Sequence, residues 1–236
     1  MRSQRVALAL AAFVLAAAAQ IRPDEPVTVT VTNDNTGSAL LTVRNLGKSD
    51  LTGFLYLYTL YRDPAGPANF AATGYYDSLT DPQFARPIPA GQEVTLPYRI
   101  GGNGYFAKVA VGAGVFADGS TFGERVTVQH ILDRRNFTLV SLKKSISELQ
   151  QASADKLTRE QIVNNFTREL NEEASLGLDP EMTNSIQMVR GQVIAMMRNS
   201  RMADGNPIPV QQTIDQLLQD FGKRRDLLVK AKPAHE

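Results

Sequence analysis

The sequence predicts an α+β protein: an N-terminal immunoglobulin-like antiparallel β-sandwich followed by a C-terminal four-helix region. Residues 1–19 place Arg2 and Arg5 before an unbroken apolar run from Val6 to Ala19, the pattern of a secretory signal and not of folded chain. After that, several runs up to about residue 122, such as 27–32, 92–100 and 105–117, place apolar residues at every second position. From Gly123 onward the period changes to that of a helix, about 3.6 residues. The expected organisation is therefore a signal peptide at 1–19, a sandwich at 20–122 and a helical region at 123–236.

The apolar run is shorter than the ~20 residues of a bilayer span, and it closes on Ala17 and Ala19 in the A-x-A cleavage pattern. An exported chain with no membrane span after cleavage is expected, periplasmic or extracellular. Residues 20–122 carry seven Lys/Arg against nine Asp/Glu, and residues 123–236 carry sixteen against fifteen. Neither part is charged strongly enough to attract nucleic acid or an anionic membrane. The chain has no cysteine, which excludes thiol catalysis and Cys-ligated metals and leaves stability to apolar burial.

Val27, Val29 and Val31 alternate with Thr28, Thr30 and Thr32, a β-branched period-2 pattern that predicts a half-buried strand. Residues 38–45 follow across the turn-forming Asn33, Asp34, Asn35 and Gly37, which makes a hairpin. Residues 51–61 are apolar on both faces and predict a central strand. The proline-rich stretch 62–90 reads as loop with a short edge strand at 70–76. In residues 92–100 Val94, Leu96, Tyr98 and Ile100 share a face, while Pro97 removes a ladder donor and predicts an edge. Residues 105–117 place Val109, Val111, Ala113 and Val115 on one apolar face and end in the hairpin signal Asp118-Gly119.

The first helix is expected over about 124–152, on a stripe from Val128 to Leu149 interrupted only by Arg135. The pattern Thr158-x-x-Gln161 is a capping box that opens a second helix carrying Ile162, Phe166 and Leu170, with Gly177 as its stop. Asp179 caps a third, with Pro180 in its first turn and Met182, Ile186, Val189, Val193 and Met196 on one face. A fourth covers about 209–229 through Val210, Ile214, Leu217, Leu218 and Phe221. Short connections between amphipathic helices suggest a bundle or paired hairpins.

The segment 116–124, Phe-Ala-Asp-Gly-Ser-Thr-Phe-Gly-Glu, resembles the ending of the immunoglobulin-like domain in uncharacterised exported bacterial proteins, where helices often follow; Phe122 stands where Trp is common. The resemblance implies fold and bacterial export, and it supplies no activity.

Several motifs yield to structural readings. Gly112-x-Gly114-x-x-Ala117 matches a dinucleotide fingerprint but runs into a hairpin turn instead of a helix. Ser141-x-x-Lys144 and Ser153-x-x-Lys156 lack the companion motifs of serine–lysine enzymes. His130 and Asp133 share a helix face without a third metal ligand, and the Asn33–Gly37 loop lacks the spaced acids of a calcium site. The methionines Met182, Met188, Met196, Met197 and Met202 fall in the third helix, where Met182 and Met196 are expected to fill core gaps. No cofactor and no catalytic residue is assigned.

The surface of most interest is Phe54, Tyr56, Tyr58 and Leu60, which share one face of the third strand. Set beside the small face of Ala110, Gly112 and Gly114, these rings would form an apolar platform for a carbohydrate or a protein, unless the first helix folds over it. The function expected is thus binding or assembly, through a protein partner or self-association, without chemistry. A carbohydrate-binding module is one alternative. The other is a hydrolase whose acids, for example Asp77, Asp81 and Glu93, converge only in three dimensions. The binding reading expects no cluster of shifted carboxylates in the largest cleft.

Overall fold

A computed structural model describes residues 25–33, 38–63, 65–82, 84, 86–101 and 106–231. The signal expected at 1–19 and the turn expected around 34–37 fall on residues that lie outside the described ones. The protein is α+β; the described residues form seven strands in two antiparallel sheets followed by four helices. It divides into two compact units, with the division between Ile131 and Leu132.

In the first unit, β1 (Val27–Asn33), β2 (Ser38–Asn45) and β5 (Glu93–Gly101) form one sheet in the order β1-β2-β5. The other sheet has the order β4-β3-β6-β7, from β3 (Leu51–Tyr61), β4 (Phe70–Asp77), β6 (Phe106–Phe116) and β7 (Thr121–Gly123). The strand rich in apolar residues on both faces, β3, is central, and β4 and the Pro97-bearing β5 are at edges, as their sequences require. One core joins the sheets: Val27, Leu41, Val43 and Leu96 from the first pack with Phe54, Tyr56, Tyr76 and Phe116 from the second. The alternation in β1 follows from this, because its valines face the core while Thr28, Thr30 and Thr32 are exposed.

The strand β6 departs from the simple alternation its sequence suggests. Tyr56 pairs with Val111 but Leu55 pairs with Ala113, so Gly112 is an extra residue opposite the junction of the two. Such a bulge flips every later side chain to the opposite face. Val109 and Val111 therefore pack against the core between the sheets, whereas Ala113 and Val115 are buried on the Leu55 side. The expected single face of Val109, Val111, Ala113 and Val115 is in fact two half-faces.

The Leu55 side is covered at Gly112 by the first turn of α1 (Arg125–Ala154): a methyl placed on Gly112 would lie 3.2 Å from Leu55 Cδ2 and 3.6 Å from Thr127 Cγ2. Gly123 leads into this helix with φ +94°, and a methyl there would lie 2.3 Å from the Gly112 carbonyl oxygen. Only glycine satisfies both the left-handed backbone and the close approach.

The second unit holds the rest of α1 with α2 (Arg159–Ser175), α3 (Pro180–Asn199) and α4 (Val210–Lys230). The capping box forms: Thr158 Oγ1 accepts from Gln161 N at 3.3 Å while Gln161 Oε1 accepts from Thr158 N at 2.8 Å. At the start of α3, Asp179 Oδ1 accepts from Glu181 N at 2.9 Å. Buried stripes run along each helix: Leu139, Leu142, Ile146 and Leu149; Ile162, Val163 and Phe166; Ile186, Val189, Val193 and Met197; Ile214, Leu217 and Phe221. The methionine expectation is corrected here, because Met197, four residues beyond Val193, is the one in the core, Met182 and Met196 are half-buried, and Met202 lies past the end of α3. Among the described residues no helix is long and apolar enough to cross a membrane.

Candidate functional site

The aromatic face of β3 points into the core. Phe54 is 0% exposed, Tyr56 is 4% exposed, and Tyr58 is half-buried against the same cluster. Phe54 stacks on Tyr76 with ring centroids 5.2 Å apart, and Tyr56 tilts against Phe54 at 5.8 Å. The small residue beneath the Tyr56 ring is Gly74 on β4, where a methyl would lie 2.2 Å from Tyr56 Cζ. Phe54 and Tyr56, enclosed in this way, have no ring face open to a sugar.

The motif residues also take structural parts. Gly112 and Gly114 lie in β6, and the Phe122 ring of β7 sits over Gly114, 2.2 Å from where a methyl would be. Ser153 Oγ donates to Gln211 Oε1 at 2.9 Å, and Lys144 Nζ donates to Glu173 Oε1 at 2.7 Å. Asp77 ends β4 and accepts from Leu79 N at 2.9 Å, while Glu93 begins β5 in the other sheet, exposed and opposite Arg44.

Two features of the structure were not singled out from the sequence. One is the set of loops around residues 46–50, 86–92 and 117–120. Asn45 Nδ2 donates to the carbonyls of Ser49 and Ile88, each at 2.9 Å. Asp50 Oδ1 accepts from Ala90 N at 3.1 Å, and its carbonyl accepts from Ala117 N at 2.8 Å. Asp118 N in turn donates to Ser49 Oγ at 3.2 Å. The Ser120 side chain and then its backbone N–H, both donating to Asp118, hold that carboxyl below its usual range.

The other feature is an open cleft of about 520 Å³ on the helical unit, lined by Lys144, Glu148, Arg168, Glu169, Glu172 and Glu173. Three of these carboxylates, Glu148, Glu169 and Glu173, bond to Arg190 of α3, whose side chain is 2% exposed. Arg190 Nη1 and Nη2 donate to the two oxygens of Glu148 from α1 at 3.0 and 3.1 Å. From α2, Glu169 Oε2 accepts from Nη2 at 2.8 Å and Glu173 Oε2 accepts from Nε at 2.9 Å. The guanidinium also lies 5.4 Å from the centroid of the buried Phe166 ring.

Burial raises the Glu148 carboxyl above its ordinary value; Arg190 opposes this and the neighbouring Glu169 adds to it. At Glu173 burial acts in the same direction, but the hydrogen bonds from Lys144 and Arg190 outweigh it and hold the group below its ordinary value. Lys144 is raised by its bond to Glu173. Shifted carboxylates thus converge in this cleft, and the cause is physical. A guanidinium inside a helical core requires counter-charges, which neighbouring helices must bring close. Among the described residues no group of three or more His, Asp and Glu is disposed to hold a metal ion.

The sequence signal for this cleft is visible in retrospect. Arg190 sits on the stripe Ile186, Val189, Val193, where a charge has no place without partners, and Glu169 and Glu173 lie one turn apart on one face of α2.

No family model matches the chain, and no curated protein matches it. A crystal structure of a hypothetical protein from Peptoclostridium difficile 630 is similar over 44% of this chain and 89% of that one, at 11% identity and a TM-score of 0.32.

Proposed function

We propose that the chain is an exported, non-enzymatic protein that acts through binding or assembly, with an immunoglobulin-like β unit as its recognition module. The observation that carries this reading is the use made of the charges in the cleft. Glu148, Glu169 and Glu173 all accept from Arg190, so each is engaged in fastening helices and none is placed as a free acid or base. The strand order supports the immunoglobulin-like assignment: β1-β2-β5 and β4-β3-β6-β7 correspond to strands A-B-E and C′-C-F-G of that architecture. The loops at 46–50, 86–92 and 117–120 are hydrogen-bonded to one another, which lowers the ordering cost of recognition. A protein, either a second copy or another chain, is the partner such loops suit. Export rests on the Arg-flanked apolar segment at 1–19.

Light scattering across a concentration series and turnover of a panel of glycoside, ester and peptide reporters test the proposal together. Association without turnover is the expected result. Turnover that disappears in Glu148→Gln and Glu173→Gln chains overturns it and makes the cleft an active site.

A further inference from the structure

We propose that the Arg190 cluster is a proton-operated clasp: one proton on Glu148, where it faces Glu169 across Arg190, balances the charges around Arg190 and tightens α1, α2 and α3, and its loss loosens them. The geometry supplies the imbalance. Three carboxylates, Glu148, Glu169 and Glu173, face two cations, Arg190 and Lys144, which leaves one negative charge in excess. The other charges do not correct it. On α2, Arg168 pairs with Glu172 at 3.8 Å; on α1 and α3, Arg134 faces Glu181 at 3.7 Å; and from α4, Arg224 donates to Gln192 of α3 at 2.9 Å.

The place for the proton is set by crowding. Glu148 Oε1, Glu169 Oε2 and Glu173 Oε1 all contact Nη2 of Arg190, at 3.1, 2.8 and 3.4 Å, so three carboxylates from two helices converge on a nitrogen that has only two N–H groups to donate. Like charges brought together in a partly desolvated site favour protonation of one of them. Glu173 does not compete, because Lys144 at 2.7 Å keeps it ionised. The carboxylates are 17–27% exposed, so the proton can exchange with solvent through the cleft.

The sign follows from linkage. Glu148 is raised in the fold, so its stabilisation is complete below the unfolded glutamate value of about 4.3 and is lost as pH rises through the higher folded value. Glu173 is lowered, so its stabilisation is present above the unfolded value and is lost as pH falls through the folded one. The helical unit is therefore tightest in mild acid and looser on both sides.

Thermal melts of the purified chain at 222 nm, near pH 5 and near pH 8, test the clasp with Glu148→Gln as a permanently neutral group. The wild-type midpoint should be higher near pH 5 by roughly 3–6 °C. The variant should melt at or above wild type near pH 8 and lose most of the difference. A variant that melts below wild type equally at both pH values makes Glu148 an ordinary ion-pair partner and overturns the proposal. Carboxyl carbon NMR on the wild-type chain gives an answer that does not depend on the variant. Titration of Glu148 above the ordinary glutamate range supports the clasp; titration at or below that range refutes it.

Discussion

Arg190 and Glu148 meet end-on, with Nη1 and Nη2 donating to the two carboxylate oxygens at 3.0 and 3.1 Å, and so join α3 to α1. This planar fork, with Glu169 and Glu173 on the remaining donors, is what allows a charge to lie among Val189, Val193 and Phe166.

Replacement of Arg190 by Met fills similar space but leaves three carboxylates around an apolar tip. A loss of about 3–5 kcal/mol is expected from removing one side of such a buried group. Arg190→Lys should lose less, because the charge survives while the two-pronged geometry does not. Urea unfolding followed at 222 nm measures both, and equal stability of wild type and Arg190→Met would show that the network contributes nothing.

Most elements were legible in the sequence because their signals are local. The Val-Thr alternation of 27–32, the capping box at Thr158 and the Asp179-Pro180 start all appear as strands and caps where they were expected. Two kinds of information were not local. The bulge at Gly112 depends on how β6 meets β3, and it divides a run that looks uniform when read alone. The cleft depends on which helices are neighbours: Glu148, Glu169 and Glu173 look like ordinary surface acids until Arg190 collects them. The aromatic face of β3 carried the opposite difficulty, since tyrosines suit a binding platform and a core equally well.

Tyr56 and Gly74 form a cross-strand pair in which the ring lies over the glycine. Gly74→Ala should destabilise the β unit by about 1–3 kcal/mol, because the added methyl meets the ring and the packed core leaves it little room to move. In a double-mutant cycle the cost should fall sharply in a Tyr56→Leu background, where the ring is absent. Additive losses would show that the ring and the glycine are independent.

The Thr158 cap is exposed and makes its bond only to the helix it opens. Thr158→Ala should cost about 1 kcal/mol, and Thr158→Asp should retain most of the stability, because any short side-chain acceptor can reach Gln161 N. A lower melting midpoint for both variants alike would point to a role for Thr158 beyond capping.

Tyr76 gives a prediction at the alkaline end. Burial pushes its hydroxyl up to about 12, the negative charge of Asp77 adds to this, and the hydroxyl donates to the Arg86 carbonyl. In the unfolded chain the same group ionises near 10. Its contribution is therefore fully present below about pH 10 and is lost as pH rises toward the folded value, because the unfolded chain releases the proton first. Absorbance titration of the phenolates should show one tyrosine ionising late, and Tyr76→Phe should remove that late step. The same variant should flatten the decline in stability between about pH 10 and 12 while lowering stability at neutral pH by the worth of one hydrogen bond, about 1 kcal/mol. A phenolate that appears at the ordinary value with the fold intact would mean that the Tyr76 hydroxyl is in contact with water and that the 86–92 loop is not held by it.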